Sequence, residues 1–162
     1  MKTIVSSATP IMAFAKIDQL ALLRRIVGVL AIAPAIDQEI REYTDHNPRP
    51  VNLDHEDWVT CMTLNSDHQV KLLLPTLDRG EAETIALAIE QQADLVFTDE
   101  LTSRKVAESL NMRIVSSAGI LIRAKQLREI AAVKPFLDAM QQQGLYFNQQ
   151  FANAVLRVVG EA

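Results

Sequence analysis

Leu77-Asp78-Arg79-Gly80-Glu81-Ala82-Glu83-Thr84-Ile85-Ala86-Leu87-Ala88-Ile89-Glu90-Gln91-Gln92-Ala93-Asp94-Leu95-Val96-Phe97-Thr98-Asp99-Glu100 is a helix followed by a buried strand that ends in acid. Ala82, Ile85, Ala86 and Ile89 recur at helical spacing and fall on one face. Glu83 and Glu90, seven apart, share the opposite face and read as solvated. Glu81 lies in the first turn, at the edge of the apolar face. Asp78-x-x-Glu81 also has the spacing of a capping box, in which the glutamate reaches back to the N–H of the cap residue. After Gln91 and Gln92, the run Ala93 to Thr98 is short, apolar and no longer helical in period. It reads as a strand covered on both faces in a parallel sheet. Asp99 and Glu100 follow where that strand stops, and sites in open α/β sheets form just beyond the carboxyl ends of strands. The expectation is one acidic pocket holding Glu81 and Asp99.

The same alternation extends in both directions. Upstream, Thr3 to Ser6 reads as a strand, Thr9 as a cap and Pro10 as the first residue of a helix over 11–15. Ile17 to Val27 is amphipathic and stops at Gly28. Val29 to Ala33 is a strand, and Pro34 opens a helix with Ile36 and Ile40 inward and Glu39 beside them. Residues 44–57, with two prolines, two histidines and several acids, read as a surface loop. Trp58 to Thr63 reads as an edge segment with Trp58 over the core. Downstream, 102–110 is a helix stopped by Asn111, Arg113 to Ser116 a strand, Ser117 a cap and Ile120 to Leu127 a helix. Val133 to Gln143 is a helix ended by Gly144, and Asn148 caps a last helix through Val159. Strand and helix in turn predict an α/β fold with a parallel sheet, one domain over residues 1–162.

Composition narrows the classes. Apolar residues make up 49% of the chain, which excludes a disordered polymer. No apolar run is long enough to span a bilayer, and Pro10 and Lys16 interrupt any secretory leader. The single cysteine, Cys61, excludes an internal disulfide, reads as a half-buried filler and suits a reducing cytoplasm. Residues 1–100 hold 8 basic and 16 acidic side chains, whereas residues 101–162 hold 8 basic and 4 acidic. An acidic half beside a basic one suits a metal pocket flanked by a phosphate-binding surface near Arg104, Lys105, Arg123, Lys125 and Arg128. His46, His55 and His68 have no ligand spacing. Gly80 and Gly119 are isolated, so neither standard phosphate loop is present. Glu39, Glu81 and Asp99 stand out because each lies near a strand end or a helix start. Carboxylates gathered at one sheet edge repel one another unless a hard cation takes their oxygens, and such a cation supports phosphodiester hydrolysis.

Ile4-Val5-Ser6-Ser7-Ala8-Thr9-Pro10-Ile11, Ile32-Ala33-Pro34-Ala35-Ile36-Asp37-Gln38-Glu39-Ile40, Leu77 to Ala88 with Gly80-Glu81-Ala82-Glu83, and Asp94 to Glu100 resemble successive motifs of the PIN-domain family. Ser117-Ala118-Gly119-Ile120-Leu121 and Ala124-Lys125 resemble the next segment of a PIN-like branch of predicted nucleic-acid-binding proteins. The resemblance runs nearly end to end. It implies a three-layer α/β/α sandwich around a mainly parallel sheet, and an Mg²⁺ (or Mn²⁺) site that cuts RNA. By the same resemblance Glu39, Glu81 and Asp99 are the catalytic, metal-binding acids, with Glu83 and Glu100 as close alternatives. Thr9 matches a supporting hydroxyl. The first family acid falls at Ser7, a neutral and poor ligand standing in that metal-binding position.

Two functions follow as expectations. One is a Mg²⁺-dependent ribonuclease, the toxin of a toxin–antitoxin pair, with Ser7 as a degenerate ligand. The other is an inactive PIN-like module that binds RNA or a protein. Single-stranded RNA, a small antitoxin protein and a second copy of the chain are the expected partners, with no membrane. Phe136, Leu137 and Met140 serve either the core or a dimer face.

Overall fold

A computed structural model describes residues 2–145 and 147–162. Five short strands, β1 (Ile4–Ser6), β2 (Leu30–Ile32), β3 (Val59–Cys61), β4 (Leu95–Phe97) and β5 (Ile114–Val115), form one sheet in the order β3-β2-β1-β4-β5. Every pairing is parallel. Val5 pairs with Ala31 on one side and with Val96 on the other, so β1 is central. The helices are α1 (Ala8–Lys16), α2 (Leu20–Val27), α3 (Pro34–Asp45), α4 (His68–Leu73), α5 (Arg79–Glu90), α6 (Leu101–Ser109), α7 (Ser117–Gln126), α8 (Lys134–Gln142) and α9 (Gln149–Val158). They cover both faces of the sheet in a three-layer α/β/α sandwich, the fold that the resemblance implies. α5 packs on β1 and β4, while α1 touches α2, α3, α7 and α8. The core runs through Val5, Phe14, Leu30, Phe97 and Leu121, all without measurable exposure.

The stops and starts have local causes. Asp18 at φ 58° breaks the long amphipathic segment, so α2 begins only at Leu20. Gly28 at φ 77° turns the chain from α2 into β2, a conformation that a side chain rarely adopts. Pro34 opens α3, where its missing N–H costs nothing. Asn111 takes φ 60° after α6, and Asn148 caps α9 by accepting from Phe151 N–H.

Several boundaries differ from expectation. α1 starts at Ala8 with Ser7 at its cap position, so Thr9 is not a cap and Pro10 sits within the first turn. Ser116, not Ser117, caps α7 by accepting from Gly119 N–H. α4 was not foreseen. Beyond α3 the chain is a loop, but Thr44 Oγ1 donates to the Val51 carbonyl and accepts its N–H, which folds Val51 and Leu53 into the core. Cys61 is exposed on the edge strand rather than half-buried. Leu110 and Val158 face solvent. Leu137 and Met140 are buried, which gives them to the core. No described helix is long and apolar enough to cross a membrane.

Candidate active site

A parallel sheet delivers all its strand ends to one edge. Here the chain runs outward from β1 to β2 and β3, then returns to build β4 and β5 on the other side. The order therefore reverses between β1 and β4, the position where crevices open in such sheets. Ser7 follows β1, and Asp99 follows β4 by two residues. Helices α3 and α5 start from the same edge and bring Glu39 and Glu81.

Glu81 makes both halves of the capping box: its N–H donates to Asp78 Oδ1 at 2.9 Å, and its Oε2 accepts from Asp78 N–H at 3.3 Å. The carboxylate is thereby held at the start of α5. Glu39 leans over the same turn. A methyl group at Gly80 would stand only 3.2 Å from Glu39 Oε1, so the glycine leaves room for that carboxylate. Partial loss of water around the exposed Glu39 side chain pushes its carboxyl above its ordinary range, helped by Asp78, Glu81, Glu42 and Glu100 in turn. Burial also raises Glu81; Asp78 and Glu100 add to this, against the opposing bond from Asp78 N–H. Glu39 thus lies in the fields of Asp78, Glu81 and Glu100, and Glu81 in those of Asp78 and Glu100.

Asp99 is held differently. Its Oδ1 accepts from Ser117 N–H at 2.8 Å and its Oδ2 from Ser117 Oγ at 2.5 Å, which ties the end of β4 to the start of α7. Burial raises its carboxyl despite both bonds; Glu100 raises it further and Arg104 lowers it. Glu100 is the link. It acts on Glu39 and Glu81 on one side and lines a cleft with Asp99 on the other. Its turn is fixed by Thr98 Oγ1, which accepts Glu100 N–H at 3.2 Å. Thr9 and Arg104 line the same cleft, whose volume is about 580 Å³.

Ser7 is buried, at 5% exposure, and lies at the β1 end beside β4. Its N–H and its hydroxyl both donate to the Phe97 carbonyl, at 3.0 and 3.3 Å. Glu83 reverses the reading of it as solvated: it is 5% exposed. Its Oε1 accepts from Ala35 N–H at 3.0 Å and its Oε2 from Arg79 Nε at 2.6 Å. Ala35 lies in the first turn of α3, whose cap residue is Ala33, so Glu83 supplies from α5 the acceptor that Ala33 lacks. Buried on α5 and tied to the start of α3 and to the Arg79 guanidinium, Glu83 has a structural role. Lys125 is likewise committed, donating to the Val159 carbonyl and to Glu161. That removes it from the basic surface, where Lys105, Arg123 and Arg128 remain exposed.

The donor set is entirely carboxylate oxygen, which suits a hard divalent cation. Among the described residues no three acids, histidines or cysteines are gathered closely enough to hold one ion directly. Sequence spacing gave Glu100 only as a neighbour of Asp99. A family model described as PIN domain matches residues 3–161. No curated protein matches the chain.

Proposed function

The chain belongs to the PIN-domain family, and from that premise we propose that it is a divalent-metal-dependent ribonuclease acting on single-stranded RNA. One observation carries the reading. Carboxylates from separate segments gather at the carboxyl edge of the sheet: Glu39 and Asp78 both border Gly80, Glu81 is bonded to Asp78, and Glu100, which acts on Glu39 and Glu81, lines a cleft with Asp99. Among the described residues none of these acids makes an ion pair, and burial first, with the neighbouring acids adding to it, makes each of Glu39, Glu81 and Asp99 harder to ionise than usual. Mg²⁺ or Mn²⁺ relieves such crowding. Mg²⁺ keeps several of its waters and is bound through one or two carboxylates directly, which matches acids that approach without closing on one point. When bound, the ion lowers the pKa of a water and steadies charge developing on a phosphate.

The residues divide the remaining work. Asp99, fixed by Ser117, offers a rigid carboxylate at the strand end. Glu81 supplies charge from the first turn of α5 and Glu39 from the second turn of α3. Glu100 joins them to the cleft in which Arg104 meets the substrate's phosphate. A small antitoxin protein and a second copy of the chain are the partners that the family resemblance suggests. The test is cleavage of a single-stranded RNA in Mg²⁺ or in EDTA. Wild type should cut only with metal, and Glu39→Gln should cut at least tenfold more slowly, the order of loss seen when a metal's supporting groups are removed. Metal-independent cutting, or an unaffected variant, contradicts the assignment.

A specific observation favours a second reading. Ser7 occupies the position of the missing acid with a neutral hydroxyl turned to the Phe97 carbonyl. A module that binds RNA without hydrolysing it needs no ligand there.

A further inference from the structure

Phe147 and Phe151 flank Asn148, the cap of α9, and their rings stack with centroids 5.6 Å apart and planes 19° apart. Such a pair has an ordinary role in stapling a helix start, and both rings do rest against the core. They also do something a staple does not require. Both line the cleft that holds Asp99, Glu100 and Arg104, and neither is fully buried. Leu101, 63% exposed, extends the same apolar wall. The cleft therefore combines aromatic and leucine surface with two carboxylates and a guanidinium. Arg104 has no ion-pair partner among the described residues.

We propose that this cleft is a nucleotide subsite, in which one unpaired base of a single-stranded RNA lies against Phe147 and Phe151 while its phosphate meets Arg104. The inference rests on the RNA reading of the acidic edge and specifies where the strand enters it. A nucleobase is planar, uncharged and apolar on its faces, so the aromatic wall accepts it without meeting the acids. The phosphate is repelled by Asp99 and Glu100 and is drawn to Arg104. At about 580 Å³ the cleft is within the range of small-ligand sites. Stacking on aromatic rings tolerates every base, so the subsite selects unpaired strands rather than a sequence. A duplex keeps its bases stacked inside and presents only phosphates.

The experiment is equilibrium binding of the full chain to a fluorescent single-stranded RNA in Ca²⁺, which takes carboxylate oxygens as Mg²⁺ does but in looser geometry. Phe147→Leu/Phe151→Leu keeps apolar bulk but removes both rings. It should weaken binding roughly fivefold to a hundredfold, the range for losing a base stack. Its salt dependence should not change. Arg104→Gln should instead flatten the salt dependence by roughly 0.7 of a unit, one phosphate contact on a single strand. In the wild-type protein, a 2-aminopurine base in the RNA should lose fluorescence on binding as it stacks. Equal affinities for wild type and the leucine variant, undetectable binding by wild type, or an unquenched 2-aminopurine would each overturn the subsite. RNA cleavage in Mg²⁺ is scored separately: stacking without cleavage retains the subsite and removes the nuclease, and cleavage without any effect of the rings does the reverse.

Discussion

Ser7 sits where β1 ends and α1 begins, in the cap position, yet its hydroxyl serves the neighbouring strand rather than the helix. An aspartate there has no proton to donate to the Phe97 carbonyl, but it is a good cap residue favoured by the helix dipole, so Ser7→Asp should turn to the free N–H groups of α1 and be accepted by the fold. It adds a charge beside the acids at the sheet edge. At ~4 Å and an effective dielectric near 20, one charge attracts each cation charge by about 4 kcal/mol before repulsion and desolvation are subtracted. If a quarter survives, Mn²⁺ binding tightens about fivefold or more, which calorimetry on the two proteins reads directly. Equal affinities would place position 7 outside the metal site. Glu83 illustrates the opposite kind of residue. Its seven-residue spacing from Glu90 put both on a solvent face, but helical period says nothing about what stands opposite. In the fold, α3 stands there with an N–H that has no local acceptor. Glu83→Ala should cost about 1–3 kcal/mol in urea unfolding, the range for an acceptor withdrawn from a donor that water reaches poorly. Glu83→Gln, which keeps the acceptor oxygen, should cost less. A loss indistinguishable between them would remove the trans-capping role.

The elements were legible where their apolar periods were long. α5 and its capping box follow directly from Asp78 to Ile89, and the short apolar run after it became β4 in register with β1. α4 was not legible because its leucines do not form a core stripe: Val70 is buried, but Leu72 is 68% exposed. The start of α7 lies one residue before the position that composition favours, because Ser116 and Ser117 are equally good caps. Only the fold shows that Ser117 is taken by Asp99. The last turn of the chain behaves as an element of its own. Glu161 accepts from Val133 N–H, Lys134 N–H and Lys125 Nζ at 2.8 to 2.9 Å, which clamps the segment after α9 against α7 and α8. Burial pushes its carboxyl up, but the two backbone N–H groups and the ammonium outweigh this and hold it below the ordinary range. A depressed acid contributes stability above its unfolded pKa, about 4.3. That stability is lost as pH falls from there through the lower folded value. Thermal melts should therefore show wild type ahead of Glu161→Gln near pH 7, with the gap closing as pH falls below that point. A gap that persists at the lowest pH would deny the clamp its charge.

At the scale of the molecule, the sheet order reverses beside β1, which is why residues 60 apart in sequence reach one edge. The parallel sheet was legible from strand–helix alternation. The grouping of Glu39 with the later acids was only faintly legible from their places near strand ends and helix starts, because single acids there are common, and resemblance strengthened it. Fold geometry then redistributed the roles. It drew Glu100 and Asp78 into the field of Glu39, gave Glu83 to structure, and opened a cleft by α9 that no spacing announced. The acidic N-terminal half and the basic C-terminal half meet at that cleft, in Asp99, Glu100 and Arg104. The central claim is that these acids together hold a divalent ion. Free Mn²⁺, followed by electron paramagnetic resonance as protein is added, measures this without requiring turnover. The account predicts that wild type removes the free-ion signal with one tight site, and that Glu39→Gln/Asp99→Asn binds at least roughly tenfold more weakly. Identical titrations for the two proteins, or no loss of signal with wild type, would contradict it.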